Sequence, residues 1–264
     1  MPFAVCEDSR IEYEVRGQGR PLVLLHGTGQ TARETWQGVL RKFEARGIGR
    51  RIVLVNYSGS GNSEDDGHPL TLPGLARQVL AAADAAGLDK FDLAGHSLGA
   101  CVALQAAADF PERVRKAALL AGFASAGDGR LQFQFNWWKR LALTSPADLA
   151  ALFMYTCFSP AFLSRLGADK IAGAVKFMAK NGNWVGAARQ IDLDLRLDLR
   201  ETAAQVRPEV LLIDCLQDFV LPGRLGRELA EALPASRHAE LDAGHAGAIE
   251  QPGRLVELLD EFFG

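Results

Sequence analysis

The sequence is poor in cysteine and has none of the clusters that bind metal ions. Its four cysteines, Cys6, Cys101, Cys157 and Cys215, are scattered without paired spacing among 264 residues. Such usage is typical of reduced thiols in a cytoplasmic protein, which is the location we expect. Histidine, cysteine and carboxylate residues nowhere recur at the short spacing of a zinc site. We therefore expect neither a bound metal nor a cofactor.

Strong charge and long apolar runs are missing as well. The formal net charge is −3, and the one short basic patch, "RGIGRR", is typical of a solvated turn. This balance argues against a nucleic-acid partner. No apolar run is long enough to cross a bilayer, and the start of the chain has acidic residues where a secretory signal has its apolar core. We expect a small-molecule substrate as partner and no membrane insertion; the oligomeric state stays open between monomer and dimer.

Short apolar runs alternate with helical periods along most of the chain. The runs "PLVLLHG", "RIVLVNY" and "VRKAALLAG" are typical of strands buried on both faces, and they follow an N-terminal hairpin in "FAVCEDSRIEYEVRG". The alternation resumes at "EVLLIDCL" and ends in an amphipathic helix over 252–263. This order predicts an α/β fold with a mostly parallel, doubly wound sheet that helices cover on both faces.

The alternation breaks over residues 123–200, where aromatic residues concentrate. This segment holds 11 of the 21 aromatic residues in the chain. We predict an inserted, mostly helical lid here, after the sixth strand, with residues 1–122 and 201–264 as the core that contains the sheet. Trp137, Trp138 and Phe153 are candidates for substrate contact, although aromatic residues serve ordinary packing equally well. The run "IDLDLRLDLR" at 191–200 alternates as a strand does, and we make no secure prediction for it.

A serine stands between two glycines in "KFDLAGHSLGACVALQAA", where a predicted strand gives way to a predicted helix. A sharp turn at this point lifts the hydroxyl of Ser97 clear of the sheet, and it requires almost no side chain at Gly95 and Gly99. The pattern G-x-S-x-G in this context predicts a nucleophile elbow. The turn also points the first free N–H groups of the helix, that of Leu98 foremost, at any developing negative charge.

A serine nucleophile needs a base and a carboxylate that orients the base. Of the five histidines, His245 lies in a glycine-bearing loop after the last predicted strand, where open α/β sheets place their sites. Asp218 ends the penultimate strand, in the chain order Ser, Asp, His, and is the predicted orienting acid. Asp214, Asp242 and Glu250 remain alternatives.

A tetrahedral intermediate also needs a second backbone donor besides Leu98. The stretch "LVLLHGTG" places Thr28 just after a buried strand, and the flanking Gly27 and Gly29 allow close backbone approach. His26 in the same stretch and Phe219 beside the predicted acid complete the candidates for substrate contact.

In order along the chain, five motifs resemble those of the α/β-hydrolase superfamily, most closely its small lidded serine hydrolases. The motifs are "LVLLHGTG", "NYSGSGNS", "LAGHSLGACVALQAAADFPERV", "CLQDFVLP" and "LDAGHAGAIEQP". The resemblance implies that Ser97 is the nucleophile, His245 the base and Asp218 the orienting acid. It implies further that Thr28 and Leu98 form the oxyanion hole through their backbone N–H groups.

The sequence departs from the family pattern at three positions. Asn56 and Ser58 stand in "NYSGSGNS", near the expected mouth of the site, where the family usually has an aspartate and an arginine. Cys215 stands where a glycine is usual, three residues before the predicted acid.

The resemblance implies a hydrolase that cleaves a carboxylic ester, lactone or thioester of a largely apolar small molecule through an acyl-enzyme. One alternative is a carbon–carbon bond hydrolase or lyase that uses the same residues. Arginines of the lid usually select the substrates of that reaction, and Arg165, Arg189 and Arg196 are available here. Another alternative is a small-molecule receptor or signalling protein with slow or no turnover.

Overall fold

The central feature of the structure, a computed structural model that describes the whole chain Met1–Gly264, is one eight-stranded sheet. The strands are β1 (Phe3–Cys6), β2 (Ser9–Arg16), β3 (Arg20–Leu25), β4 (Arg50–Asn56), β5 (Phe91–His96), β6 (Val114–Leu120), β7 (Glu209–Cys215) and β8 (Ser236–Leu241). Their order in the sheet is β1-β2-β4-β3-β5-β6-β7-β8. The pairs β1–β2 and β2–β4 are antiparallel, and all others are parallel. The predicted mostly parallel α/β sheet is confirmed.

The strand β3 shows why the inner strands read as continuous apolar runs. Successive side chains of a strand point to opposite faces of the sheet. Val23 and Leu25 enter the larger of two hydrophobic clusters, whereas Leu22 and Leu24 enter the smaller one on the other face. All four are fully buried. Both faces therefore need apolar residues, because helices cover both of them.

The helices divide between the two faces of the sheet and an insertion. Those that pack on the sheet or adjoin it are α1 (Ala32–Ala45), α2 (Leu72–Ala85), α3 (Leu98–Asp109), α9 (Arg200–Ala203), α10 (Arg224–Ala232), α11 (Gly247–Glu250) and α12 (Pro252–Phe263). Those of the insertion between β6 and β7 are α4 (Gly129–Thr144), α5 (Pro146–Cys157), α6 (Pro160–Leu166), α7 (Ala168–Asn181) and α8 (Trp184–Arg196). No single helix combines the length and apolar composition of a membrane span; only α5 and α6 have that character when joined, and they are bent by 117°.

The ambiguous run at 191–200 divides between two conformations. It continues α8 as far as Arg196, and then Asp198 forms an isolated antiparallel bridge with Ser125. Ala187, Gln190, Ile191 and Asp194 are buried at helical spacing, so tertiary packing decides the conformation against the alternating pattern.

Candidate active site

The turn from β5 into α3 places Ser97 in a conformation that few residues adopt. Ser97 has φ 55° and ψ −120°, and its N–H donates to Leu120 O at 2.9 Å. A Cβ at Gly95 would lie 2.0 Å from Gly99 O, and a Cβ at Gly99 would lie 2.4 Å from His26 O. Both glycines are therefore required for the turn. A strained backbone of this kind is typical of functional sites.

Two hydrogen bonds join Ser97, His245 and Asp218. The distance from Ser97 Oγ to His245 Nε2 is 3.0 Å, and that from His245 Nδ1 to Asp218 Oδ2 is 2.7 Å. A carboxylate only accepts hydrogen bonds, so Nδ1 carries the proton and Nε2 presents a lone pair to the serine hydroxyl. This is the tautomer that a base for Ser97 needs.

Asp218 is held by the chain that follows it. Its Oδ1 accepts from Val220 N at 2.8 Å and from Leu221 N at 2.7 Å, and its side chain is 1% exposed. These bonds fix the carboxylate and leave Oδ2 for the imidazole, and no lysine or arginine pairs with Asp218.

The three alternative acids have other partners. Asp214 lies 3.7 Å from His238 Nε2, and Asp242 Oδ1 accepts from Gln217 Nε2 at 2.7 Å. Glu250 accepts from the backbone N and the Oγ of Ser159, which fastens the start of α6 to the loop that carries His245. None of the three contacts His245.

The two histidines nearest the elbow are unsuited to act as bases. His96 Nε2 donates to His245 O at 2.8 Å, and burial lowers the pKa of His96 to about 3. His26 Nδ1 donates to Gly27 O, its ring stacks on Tyr57, and burial lowers its pKa to about 4. Both rings stay neutral and serve as packed parts of the core.

The loop after β3, Gly27–Gln30, lies directly beside the elbow and is called the β3 loop below. A Cβ at Gly27 would be 3.3 Å from Ser97 Cβ. The N–H of Thr28 in this loop donates no hydrogen bond within the chain. Leu98 N–H belongs to the first turn of α3, where N–H groups have no carbonyl partner in the helix. Two unpaired donors thus flank Ser97.

The sequence reasoning missed two residues of α8 that contact the β3 loop. Gln190 Oε1 accepts from Gly29 N at 2.9 Å, and Asp194 Oδ2 accepts from Thr28 Oγ1 at 2.7 Å. The only signal for them was a pair of polar residues one turn apart, and the strand-like alternation of the same stretch concealed it.

Ser97 and His245 lie against a cavity of about 270 Å³ between the sheet edge and the insertion. Its walls come from the β3 loop, the loop after β4 and the insertion. The insertion side is mostly apolar and consists of Trp138, Phe153, Cys157, Phe158, Phe177, Met178, Asn181, Gly182, Asn183 and Trp184. Trp138 and Phe153 were predicted; the other apolar residues of this wall were not.

Three of the residues predicted to contact substrate lie elsewhere, which corrects that expectation. Trp137 follows Trp138 on α4, so it is turned about 100° away and packs on Phe133 at the surface. Phe219 is 60% exposed and lies under the guanidinium of Arg130. His26 is buried beneath the β3 loop and does not reach the cavity.

The two departures in "NYSGSGNS" also lie behind the cavity rather than at its mouth. Asn56 Oδ1 accepts from Ala32 N at the start of α1, and its Nδ2 donates to Glu12. Ser58 pairs through its backbone N and its Oγ with Gln78 of α2. Both residues fasten the loop to the core, and only their neighbours Gly59, Ser60 and Gly61 line the cavity.

No lysine or arginine lines the cavity, and Glu34 is its single carboxylate. The Oε2 of Glu34 is held by the N–H and hydroxyl of Thr31, with which it forms the capping box of α1. Arg189 pairs with Asp65, Arg196 pairs with Asp192, and Arg165 stacks on Phe162. No set of three histidine, cysteine, aspartate or glutamate side chains is placed to hold a metal ion.

Comparison with known proteins finds matches along nearly the whole chain. A family model for the alpha/beta hydrolase fold matches residues 20–252. Pyrrolizixenacetamide deacetylase of Xenorhabdus hominickii is 36% identical over 97% of this chain and 95% of its own length. RutD of Azorhizobium caulinodans, to which carbamate hydrolase activity is provisionally ascribed, is 32% identical over 100% of this chain and 98% of its own. The enol-lactonase of Burkholderia xenovorans LB400 superposes with a TM-score of 0.87 over 99% of both chains at 22% identity, which shows the shared fold.

Proposed function

The chain belongs to the α/β-hydrolase fold family, and from that premise we propose that it is a serine hydrolase of neutral, largely apolar acyl compounds. The observation that carries this proposal is the hydrogen-bond chain from Ser97 through His245 to Asp218 at the wall of the cavity. The bond cleaved is a carboxylic ester, lactone or thioester; an amide or carbamate is the second candidate.

The geometry supports acyl transfer in two steps, acylation of Ser97 and hydrolysis of the acyl-enzyme. His245 Nε2 takes the proton of Ser97 as Oγ attacks the carbonyl carbon, and Asp218 stabilises the imidazolium that forms. The N–H groups of Thr28 and Leu98 donate to the oxyanion of the tetrahedral intermediate. His245 then gives the proton to the leaving group, which leaves an ester on Ser97. Water attacks this ester with His245 as base, and the acid is released.

The charge of the cavity supports a neutral substrate. A carboxylate or phosphate group is normally bound by arginine or lysine, and none lines this cavity. This disfavours nucleotide-bearing thioesters and substrates with a carboxylate, which include the dienoate suggested by the name of a 25% identical relative, the 2-hydroxy-6-oxo-2,4-heptadienoate hydrolase of Pseudomonas putida. The apolar side chains of the insertion favour an uncharged acyl or alcohol part.

The second candidate, amide or carbamate cleavage, is supported by two relatives that cover nearly the whole chain. One is a deacetylase of an acetamide, and the other is RutD. The same residues serve either bond, because His245 can protonate an amine leaving group as readily as an alcohol.

Labelling with a fluorophosphonate tests the nucleophile. We expect intact-mass analysis to show one adduct, mapped to Ser97 and lost in Ser97→Ala. Ser60→Ala is the matched control, since Ser60 is a second serine hydroxyl in the cavity wall and the adduct should persist in that variant. An adduct on Ser60, or no adduct with the native protein, would refute the proposed chemistry.

A substrate panel tests the bond and the charge. The panel contains neutral p-nitrophenyl esters of rising chain length, the matching anilides, an acyl-coenzyme A thioester and a vinylogous diketone with a carboxylate. We expect turnover of the neutral esters and none of the two anionic compounds. Faster turnover of anilides than of esters would establish the second candidate. Thermal stabilisation by an ester with no turnover would instead favour the receptor hypothesis.

A further inference from the structure

The helix α8 of the insertion carries two polar side chains that are buried against the β3 loop. Gln190 is 0% exposed and Asp194 is 2% exposed, and they lie one turn apart on the same face. Polar groups buried this deeply need hydrogen-bond partners, because burial without such partners costs free energy.

Gln190 joins the insertion to two loops of the core at once. Its Oε1 accepts from Gly29 N at 2.9 Å, while its Nε2 donates to Ser58 O at 3.0 Å and to Ser60 Oγ at 2.9 Å. Gly29 has φ +71°, a backbone conformation that favours glycine, so this position of the β3 loop has no side chain and is held through its N–H. Gln190 occupies the Gly29 N–H and leaves the neighbouring Thr28 N–H free for another acceptor.

Asp194 fixes the side chain of Thr28 from the other end of the same turn. Its Oδ2 accepts from Thr28 Oγ1 at 2.7 Å, its Oδ1 has no hydrogen-bond partner, and no lysine or arginine pairs with it. A buried carboxyl without a cation is destabilising. Burial accordingly raises the pKa of Asp194 to about 7. Its one strong contact is with the residue whose N–H faces the developing oxyanion.

We propose that Gln190 and Asp194 are positioning residues, which hold the β3 loop so that the Thr28 N–H lies where the oxyanion forms. The inference rests on the proposed function. According to this inference, α8 affects turnover through the β3 loop, although α8 contributes no group that touches the reacting atoms. A purely structural role for these residues predicts lower stability with unchanged turnover by the folded enzyme.

Kinetics of four variants separate the two roles. Asp194→Ala removes the acceptor of the Thr28 hydroxyl, and Thr28→Val removes the hydroxyl while keeping the backbone N–H. For the ester that the native protein hydrolyses best, we expect each change to lower kcat by about 10- to 100-fold and to change KM by less than about 3-fold, since small displacements of catalytic groups have effects of this size. Asp194→Asn and Thr28→Ser each keep an equivalent hydrogen bond and should restore kcat to within about 3-fold.

Asp192→Ala is the matched control on the same helix. Asp192 pairs with Lys139 and Arg196 on the side away from the cavity, so we expect unchanged kcat and KM. The double variant Thr28→Val/Asp194→Ala should lose no more than the worse of the two single variants, because both changes remove one interaction. Gln190→Met, which keeps the volume and loses all three bonds, should also lower kcat rather than raise KM.

The outcomes distinguish this inference from the proposed function. If the native protein neither reacts with fluorophosphonate nor hydrolyses esters, the proposed function fails first. If the native protein does both, the inference is overturned in any of three cases: folded Asp194→Ala keeps native kcat, Asp194→Asn loses as much as Asp194→Ala, or the losses in the double variant add. Should Asp194→Ala fail to fold, Thr28→Val and Thr28→Ser decide the question, since their change lies at the surface of the cavity.

Discussion

Two helices of the insertion, α7 and α8, line the same cavity and are attached to the molecule in opposite ways. From α7 come Phe177, Met178 and Asn181, yet no residue of that helix is buried. From α8 comes Trp184, and seven residues of that helix are buried, Gln190 and Asp194 among them. At the start of α8, Gly186 packs backbone to backbone on Gly59. One wall of the cavity is thus fastened to the core loops, and the other rests on neighbouring helices.

The difference separates two tasks within one insertion. A change in α8 is transmitted to the loops that hold Thr28 and Ser60, because hydrogen bonds and close packing join them. A change in α7 alters the surface that a substrate meets and leaves those loops in place. We therefore expect α8 to affect turnover and α7 to affect substrate choice.

The largest effect is expected from Gly186→Ala in α8. The new Cβ would lie 2.1 Å from Gly59 O, and backbone atoms cannot yield as a flexible side chain does. A shift of α8 by about an ångström should lower kcat by about 10²-fold and destabilise the fold by about 1–3 kcal/mol. Ester kinetics and thermal unfolding measure the two effects. Native turnover in this variant would mean that α8 does not control the β3 loop.

A smaller change, in selectivity, is expected from Phe177→Ala in α7. Removing this half-exposed ring from the cavity wall should lower the ratio of kcat/KM for a long-chain over a short-chain ester by about 10-fold, with kcat for the short ester unchanged. Tyr155→Ala is the control, because Tyr155 is an exposed aromatic of α5 outside the cavity. An equal loss of kcat on all esters would contradict the assignment of α7 to substrate choice.

The next largest effect expected is a pH dependence of the free energy of unfolding, caused by Asp194 of α8. The pKa of Asp194 in the folded state is about 7, above that of an unfolded aspartate at about 3.9. The folded state therefore holds the proton more tightly, and the free energy of unfolding falls as pH rises between those values. Between pH 5 and pH 8, the Tm of the native protein should fall by roughly 5 °C relative to that of Asp194→Asn. Parallel Tm curves would show that Asp194 does not titrate in this range.

The smallest effect is expected from Gly173→Ala, the counterpart of Gly186→Ala on α7. Nothing lies within 4 Å of the position of the new Cβ, and the residue stands in the middle of the helix. Alanine there should stabilise the fold by about 0.5–1 kcal/mol and leave kcat/KM within about twofold of the native value. Calorimetry and ester kinetics check both. A loss of turnover here would remove the contrast between the two helices.

The predicted site residues that the structure brings together are those with local requirements. The elbow at Ser97 needs two glycines at a strand–helix junction, and both can be read from one short stretch. His245 and Asp218 could be predicted from their positions just after the last two strands, because parallel strands end at the same edge of the sheet. Their catalytic roles stay predictions until the labelling experiment is done.

The parts that sequence reasoning misplaced depend on which way a side chain faces after the chain has folded. Trp137 and Trp138 are identical neighbours in the sequence, and only the packing of α4 turns one inward and the other to solvent. Phe219 points outward because the two backbone bonds to Asp218 Oδ1 turn the chain there. Gln190 and Asp194 escaped notice because their stretch alternates as a strand does, while the fold buries it as a helix.

By itself, then, the sequence determined the layered sheet, the strained turn at Ser97 and the chain order of the residues that meet there. Short sequence patterns determine the backbone geometry of a turn and the burial of a strand on both faces. These features can therefore be predicted without information on contacts between distant residues. Only the tertiary structure decided which wall of the cavity is fastened to the core. The attachment includes hydrogen bonds between residues 130 or more positions apart, such as Thr28 and Asp194, and a local sequence pattern cannot predict them.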